Sequence, residues 1–135
     1  MTRINLVPVQ ELSDQHLIAE YRELPRVIKQ SINVDNAPNE YCLGKGHMKW
    51  ARKHLSFILN RYALLCEEMK CRGFKVNFSA GFLLQYALKN CDKSLMNNYN
   101  PTQKDICISR NRIQEKIKLK PNYYKWSNYV TKRYI

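Results

Sequence analysis

Residues 2–26 read TRINLVPVQELSDQHLIAEYRELPR, and the second half of this stretch decides the fold. Ser13 is placed to cap a helix, and Asp14 behind it complements the positive end of the helix dipole. Leu17, Tyr21, Leu24 and Ile28 then recur at helical spacing as an apolar stripe. At about 100° per residue, His16, Glu20, Glu23 and Arg26 fall on the opposite face, with Arg22 at its edge. Pro25 should remove one hydrogen bond and kink the helix. A solvated salt-bridge face would account for the charges. The kinking proline beside a Glu23 flanked by Arg22 and Arg26 marks the stretch as more than that.

The rest of the chain repeats the helical pattern. Residues 33–45 carry turn formers and read as a loop. Gly44-Lys45-Gly46-His47 opens a long helix, in which Met48, Ala51, Leu55, Ile58, Leu59, Tyr62, Leu65, Cys66 and Met69 keep the 3.6-residue period until Gly73 ends it. A glycine-flanked helix start bearing Lys45 can hold a phosphate on its free N–H groups, although GKGH lacks the full phosphate-loop pattern. His47 and His54 read as packing or phosphate-contact residues rather than metal ligands. Residues 79–90 make a short, mostly buried helix with Ser79 as its cap. Thr102 caps another through Leu119, with Ile106, Ile113 and Ile117 buried and Arg110, Arg112, Lys116 and Lys120 outside. Only Phe74–Phe78 hints at a strand. The expectation is one all-α domain over residues 1–135, of about three to four helices.

With 44% hydrophobic and 25% charged residues the composition is ordinary, so the informative quantity is the net charge of +12. Such an excess on so small a domain favours a polyanionic partner, because each neutralised phosphate releases counterions. The tail interleaves Tyr123, Tyr124, Trp126, Tyr129 and Tyr134 with Lys125, Lys132 and Arg133. Such rings either stack on unpaired bases or dock on the core. No apolar run approaches the ~20 residues of a membrane span, and Arg3, Asn5, Glu11 and Asp14 interrupt any signal-like segment. Cys42, Cys66, Cys71, Cys91 and Cys107 are odd in number and form no CxxC pair, so reduced thiols are expected and a structural zinc site is not.

One chemistry uses these parts together. Trimming of Met1 would leave an α-amine on Thr2, whose pKa of about 7.7–8 leaves about a tenth of it neutral at neutral pH, far more than a lysine at about 10.4. Cations such as Arg3, Arg22 and Arg26 would lower it further. A neutral amine can attack C1′ of a deoxyribose and form a Schiff-base intermediate, from which β-elimination nicks the strand. A carboxylate such as Glu23 can stabilise the cationic sugar and move protons. Neither a metal nor a cofactor is required.

MTRINL, the DQHL–AEYRELPR run, LGKGH, CRGF and RIQEKI…P–YYKW together resemble the pyrimidine-dimer DNA glycosylase/AP lyase family, the endonuclease V family of the T-even phages. The resemblance covers Met1 to Val27, Leu43 to Phe74 and Ile106 to Trp126. It implies an all-α fold with the N-terminal segment lying between the helices at the active site. It also implies cleavage of the glycosyl bond of the 5′ pyrimidine of a cyclobutane dimer, followed by a β-elimination nick. Thr2 would be the nucleophile and Glu23 the catalytic carboxylate. Arg3, Arg22 and Arg26 would grip phosphates, with Gln15 and His16 at the same surface, and Lys45 and His47 at the glycine-flanked turn. Arg112 and Lys116 match basic contacts on the late helix and Lys125 a contact in the tail. The partner would be duplex DNA containing damaged bases, met by a monomer without membrane or obligate protein partner, in the cytoplasm of a bacterial or phage-infected cell. Two alternatives stand beside this: the same fold acting on another lesion or on abasic sites, and a non-enzymatic helical DNA-binding protein, which gives Thr2 and Glu23 no role.

Overall fold

The computed structural model describes residues 4–29 and 32–127. Thr2 and Arg3, and the tail residues Tyr129, Lys132, Arg133 and Tyr134, lie outside the described residues. Within them the chain is helical, without a strand: α1 (Asp14–Glu23), α2 (His47–Lys53), α3 (Leu55–Cys71), α4 (Ala80–Asn90) and α5 (Gln103–Leu119), with 3₁₀ turns at Val9–Glu11, Leu24–Val27 and Lys93–Leu95. None of the described helices is long and apolar enough to cross a membrane.

Local chemistry sets most helix ends. The Ser13, Ser79 and Thr102 side chains accept from the backbone N–H of His16, Phe82 and Asp105, and Asp105 returns the bond to Thr102 as a capping box. Gly73, at φ +85°, ends α3 with Gly73 N–H on the Lys70 carbonyl and Phe74 N–H on that of Met69, the Schellman arrangement that a left-handed residue permits.

α3 is the central helix. It packs against α1, α2 and α4 and buries Leu55, Ile58, Leu59, Tyr62, Leu65 and Met69. Residues 4–8 run outside any helix and lead through the Val9–Glu11 turn to α1, with Ile4, Leu6, Val7, Val9 and Leu12 all buried. An extended strand with no neighbouring strand has nothing in its own backbone to bond to, and its polar groups must be met by side chains. Two arginines on the buried side of α3 do much of this. Arg61 donates to the Val7 carbonyl (2.6 Å) while pairing with Glu20 of α1 (2.8 Å). Arg72 donates to the Val9 and Gln10 carbonyls while pairing with Glu68 (2.9 Å) and Asp14 (3.0 Å).

Three expectations are corrected. The helix expected from Gly46 to Gly73 is broken at His54. Its ring Nδ1 takes the Trp50 carbonyl (2.7 Å), so the His54 N–H bonds one residue short, to Ala51. Asn97 then stitches the break, donating to the Lys53 carbonyl and accepting from Phe57 N–H. Pro25 does not kink a continuing α-helix. α1 stops at Glu23, and Pro25 falls at the start of the following 3₁₀ turn, where its missing N–H is not needed. α4 is not mostly buried: only Leu83 and Ala87 are, while Phe82 and Leu88 are 59% and 63% exposed, because the helix touches α3 along one edge.

Removing one partner of a buried pair strands the other charge. Arg61→Ala is therefore expected to cost about 3–5 kcal/mol in chemical denaturation. Arg110→Ala, which breaks the exposed Arg110–Glu11 pair, should leave the unfolding midpoint nearly unchanged.

Candidate active site

The N-terminal segment and α1 run antiparallel. Asn5 Nδ2 donates to Glu20 Oε1 (2.8 Å) near the end of the helix, while Arg72 joins Val9 and Gln10 to Asp14 at its start. Glu20 is thus not on the open face expected from the helical wheel. It is 3% exposed and faces Arg61. Glu23 is half-buried and, among the described residues, has no ion-pair partner, Arg26 included. Arg22 and Arg26 on either side of it are exposed. One carboxylate is left between two solvent-facing guanidinium groups.

Seven residues back, on the same face of α1 and about 10 Å along it, His16 has a quite different setting. Its Nδ1 lies 2.8 Å from Ser13 Oγ and its ring stacks on Tyr124 at 4.6 Å. Burial, then Arg112 and Lys116, hold its pKa below the ordinary 6.5, which places these two α5 cations beside it. Gln15 is occupied by the tail: its Nε2 donates to the Tyr123 carbonyl and its Oε1 accepts from Lys125 N–H. The Asp14 N–H bonds the Lys125 carbonyl, its carboxylate accepts from Ser127, and Trp126 Nε1 donates to the Glu11 carbonyl. Docking on the core holds for one ring and not for all. Tyr124 docks on His16, whereas Tyr123 and Trp126 are 55% and 47% exposed. The Lys125 side chain faces solvent.

The glycine-flanked turn divides. Lys45 is exposed, but His47 is fully buried and is not a surface contact for DNA. Its Nε2 accepts from Ile4 N–H (3.0 Å) and its Nδ1–H donates to the Cys42 carbonyl (2.6 Å). The partners fix the tautomer, since an N–H can only donate and a carbonyl only accept. Sequence reasoning also missed Tyr41, whose hydroxyl donates to the Ile4 carbonyl (2.6 Å), and Ser109, whose hydroxyl accepts from Leu6 N–H (2.9 Å). Arg61, Glu68 and Arg72 did leave a signal: they fall at three- and four-residue spacing within the apolar stripe of α3.

Arg22 and Arg26 lie exposed on either side of Glu23 and the charges of Arg112 and Lys116 act on His16, a cationic surface of the kind that suits a polyanion. The family model of pyrimidine dimer DNA glycosylases matches residues 1–82, and the chain belongs to that family. Membership implies pyrimidine dimer DNA glycosylase activity, with damaged DNA as the partner.

The depressed His16 pKa has a testable sign. The unfolded chain takes up a proton as pH falls below about 6.5, while the folded ring resists it until the pH passes its own lower value. Stability should fall across that window and level off beneath it. Thermal melts from about pH 7.5 down to about pH 5 should show a steeper loss for the parent than for His16→Gln.

Proposed function

We propose that the protein cleaves the N-glycosyl bond of the 5′ pyrimidine of a cyclobutane dimer with the Thr2 α-amine as nucleophile and then nicks the strand as an AP lyase. The amine nitrogen bonds to C1′ as the C1′–base bond breaks, and the departing base takes up the proton that the amine gives up. The sugar ring opens to an iminium. Loss of a C2′ proton breaks the C3′–O bond and expels the 3′ phosphate. Glu23 stabilises the cationic sugar and moves the protons. Arg3, Arg22, Arg26, Arg112 and Lys116 hold phosphates around the lesion. Lys45 and Lys125 extend that surface, and Gln15 and His16 carry the aromatic tail to it.

The observation that carries this reading is the antiparallel register of the segment on α1. Asn5 is bonded to Glu20. Thr2 lies three residues further along the segment and Glu23 three residues further along the helix. Three helical residues rise about 4.5 Å and three extended residues span up to about 10 Å, so three residues are long enough to bring the amine to the carboxylate if the segment keeps that direction. Among the described residues Glu23 also lacks the ion pair that a merely structural carboxylate would be expected to have.

Glu23→Gln is expected to fold and bind dimer-containing duplex as well as the parent or slightly better, since an acid near phosphates repels them. Its single-turnover glycosylase rate should drop about a hundredfold or more. A variant within a few-fold of the parent rate would leave the mechanism without its carboxylate. Borohydride should trap a covalent adduct that peptide mapping places on Thr2, and N-terminal acetylation should abolish it. An adduct on a lysine would refute the amine assignment. Affinity for undamaged duplex should fall with salt at a log–log slope near about −4 to −5, the value for about five neutralised phosphates.

A further inference from the structure

An α-amine has no side-chain stem, so only the backbone behind it can aim it. The described residue nearest that amine is Ile4, and its peptide groups are gripped from both sides. Its N–H donates to His47 Nε2 at 3.0 Å, and its carbonyl accepts from the Tyr41 hydroxyl at 2.6 Å. Ile4 and His47 are fully buried and Tyr41 is 5% exposed. Resting on the reading of Thr2 as the nucleophile, we infer that Tyr41 and His47 are positioning residues, a clamp on Ile4 that aims the amine at the sugar.

The clamp is braced from behind. The Tyr41 ring meets those of His47 and Trp50 edge-on at 5.6 and 5.0 Å. The Tyr41 N–H donates to the Tyr99 hydroxyl (2.9 Å), which in turn donates to Asp105 of the α5 capping box (2.6 Å). The Cys42 carbonyl holds His47 in the tautomer that leaves Nε2 free to accept. Burial pushes the Tyr41 hydroxyl up to about 12, so it stays a donor throughout the neutral range. The segment has further anchors beyond the clamp: Leu6 is held by Ser109, itself hydrogen-bonded to Tyr41, Val7 by Arg61, and Val9 and Gln10 by Arg72. Losing the clamp should therefore loosen the peptide at Ile4 more than the segment from Val7 onward. A misplacement of about 1 Å at a reacting group can cost about a hundredfold in rate while leaving substrate binding intact.

Three variants separate positioning from packing. Tyr41→Phe keeps the ring and removes the donor. His47→Asn keeps an amide near the Nδ1 position for the Cys42 carbonyl but withdraws the acceptor from Ile4. His47→Gln returns an oxygen to the Nε2 position. Each is compared with the parent for dimer-duplex affinity, melting temperature, single-turnover glycosylase rate and rate of borohydride trapping. Tyr41→Phe and His47→Asn should lose about tenfold to a hundredfold in both rates at an affinity within a few-fold of the parent, and His47→Gln should recover most of the loss. Variants that react within twofold of a parent trapped on Thr2 overturn the clamp and leave the proposed mechanism standing. So does a rate loss that only follows a loss of folded protein or of affinity. A parent trapped elsewhere than on Thr2 overturns the mechanism, and the clamp with it.

Discussion

A buried extended peptide without a strand beside it is the costliest way to use a backbone, because each unmet N–H or C=O forfeits about 1–3 kcal/mol. This protein buries one at its centre and answers it with side chains from nearly every other part of the chain. His47 opens α2, Arg61 lies on α3 and Arg72 at its C-cap, Ser109 on α5, Tyr41 in the loop before α2 and Trp126 in the tail. The helices are consequently organised around a peptide as much as around one another. The contact that joins the tail to the N-terminal segment, Trp126 to the Glu11 carbonyl, closes the arrangement.

The same constraint decides where charge can go. Carbonyls in the core need donors, and arginine supplies five in a fixed fork. Burying a guanidinium requires a carboxylate beside it. Glu20 answers Arg61, and Glu68 with Asp14 answers Arg72. Among the described residues the buried charges cancel or lean negative, so their excess of cations resides in side chains that reach solvent. The acids given to the core are also acids removed from the surface proposed to face DNA. Arg22, Arg26 and Lys116 face solvent there with no carboxylate partner among the described residues.

What could be read from the sequence follows how local the deciding interaction is. Caps at Ser13, Ser79 and Thr102 and the stop at Gly73 act within a few residues, and all appear where expected. The break at His54 depends on Asn97, 43 residues away, and on a ring capturing the Trp50 carbonyl, and periodicity records neither. α4 is apolar on several sides (Phe82, Leu83, Leu84, Ala87 and Leu88), so no stripe told which of them would face inward. Glu20 sits at the border between the apolar stripe of α1 and its polar face, and its partners Arg61 and Asn5, both remote in sequence, pull it inside. His47 was visible as a notable residue, but its duty to Ile4 was not.

That duty points to a cost particular to N-terminal chemistry. A lysine nucleophile is aimed by the walls of its own pocket, since its four-carbon stem can be packed locally. An α-amine is as steady as the two or three peptide units behind it, and these have no stem to pack. On the proposed chemistry, holding Thr2 to within the fraction of an ångström that catalysis demands means immobilising main chain, and main chain is held by hydrogen bonds to its own amides. The side chains that do this must come from elsewhere in the fold. On that chemistry, residues far from Thr2 in sequence, such as Tyr41 and Ser109, would belong to the machinery of the site without touching DNA.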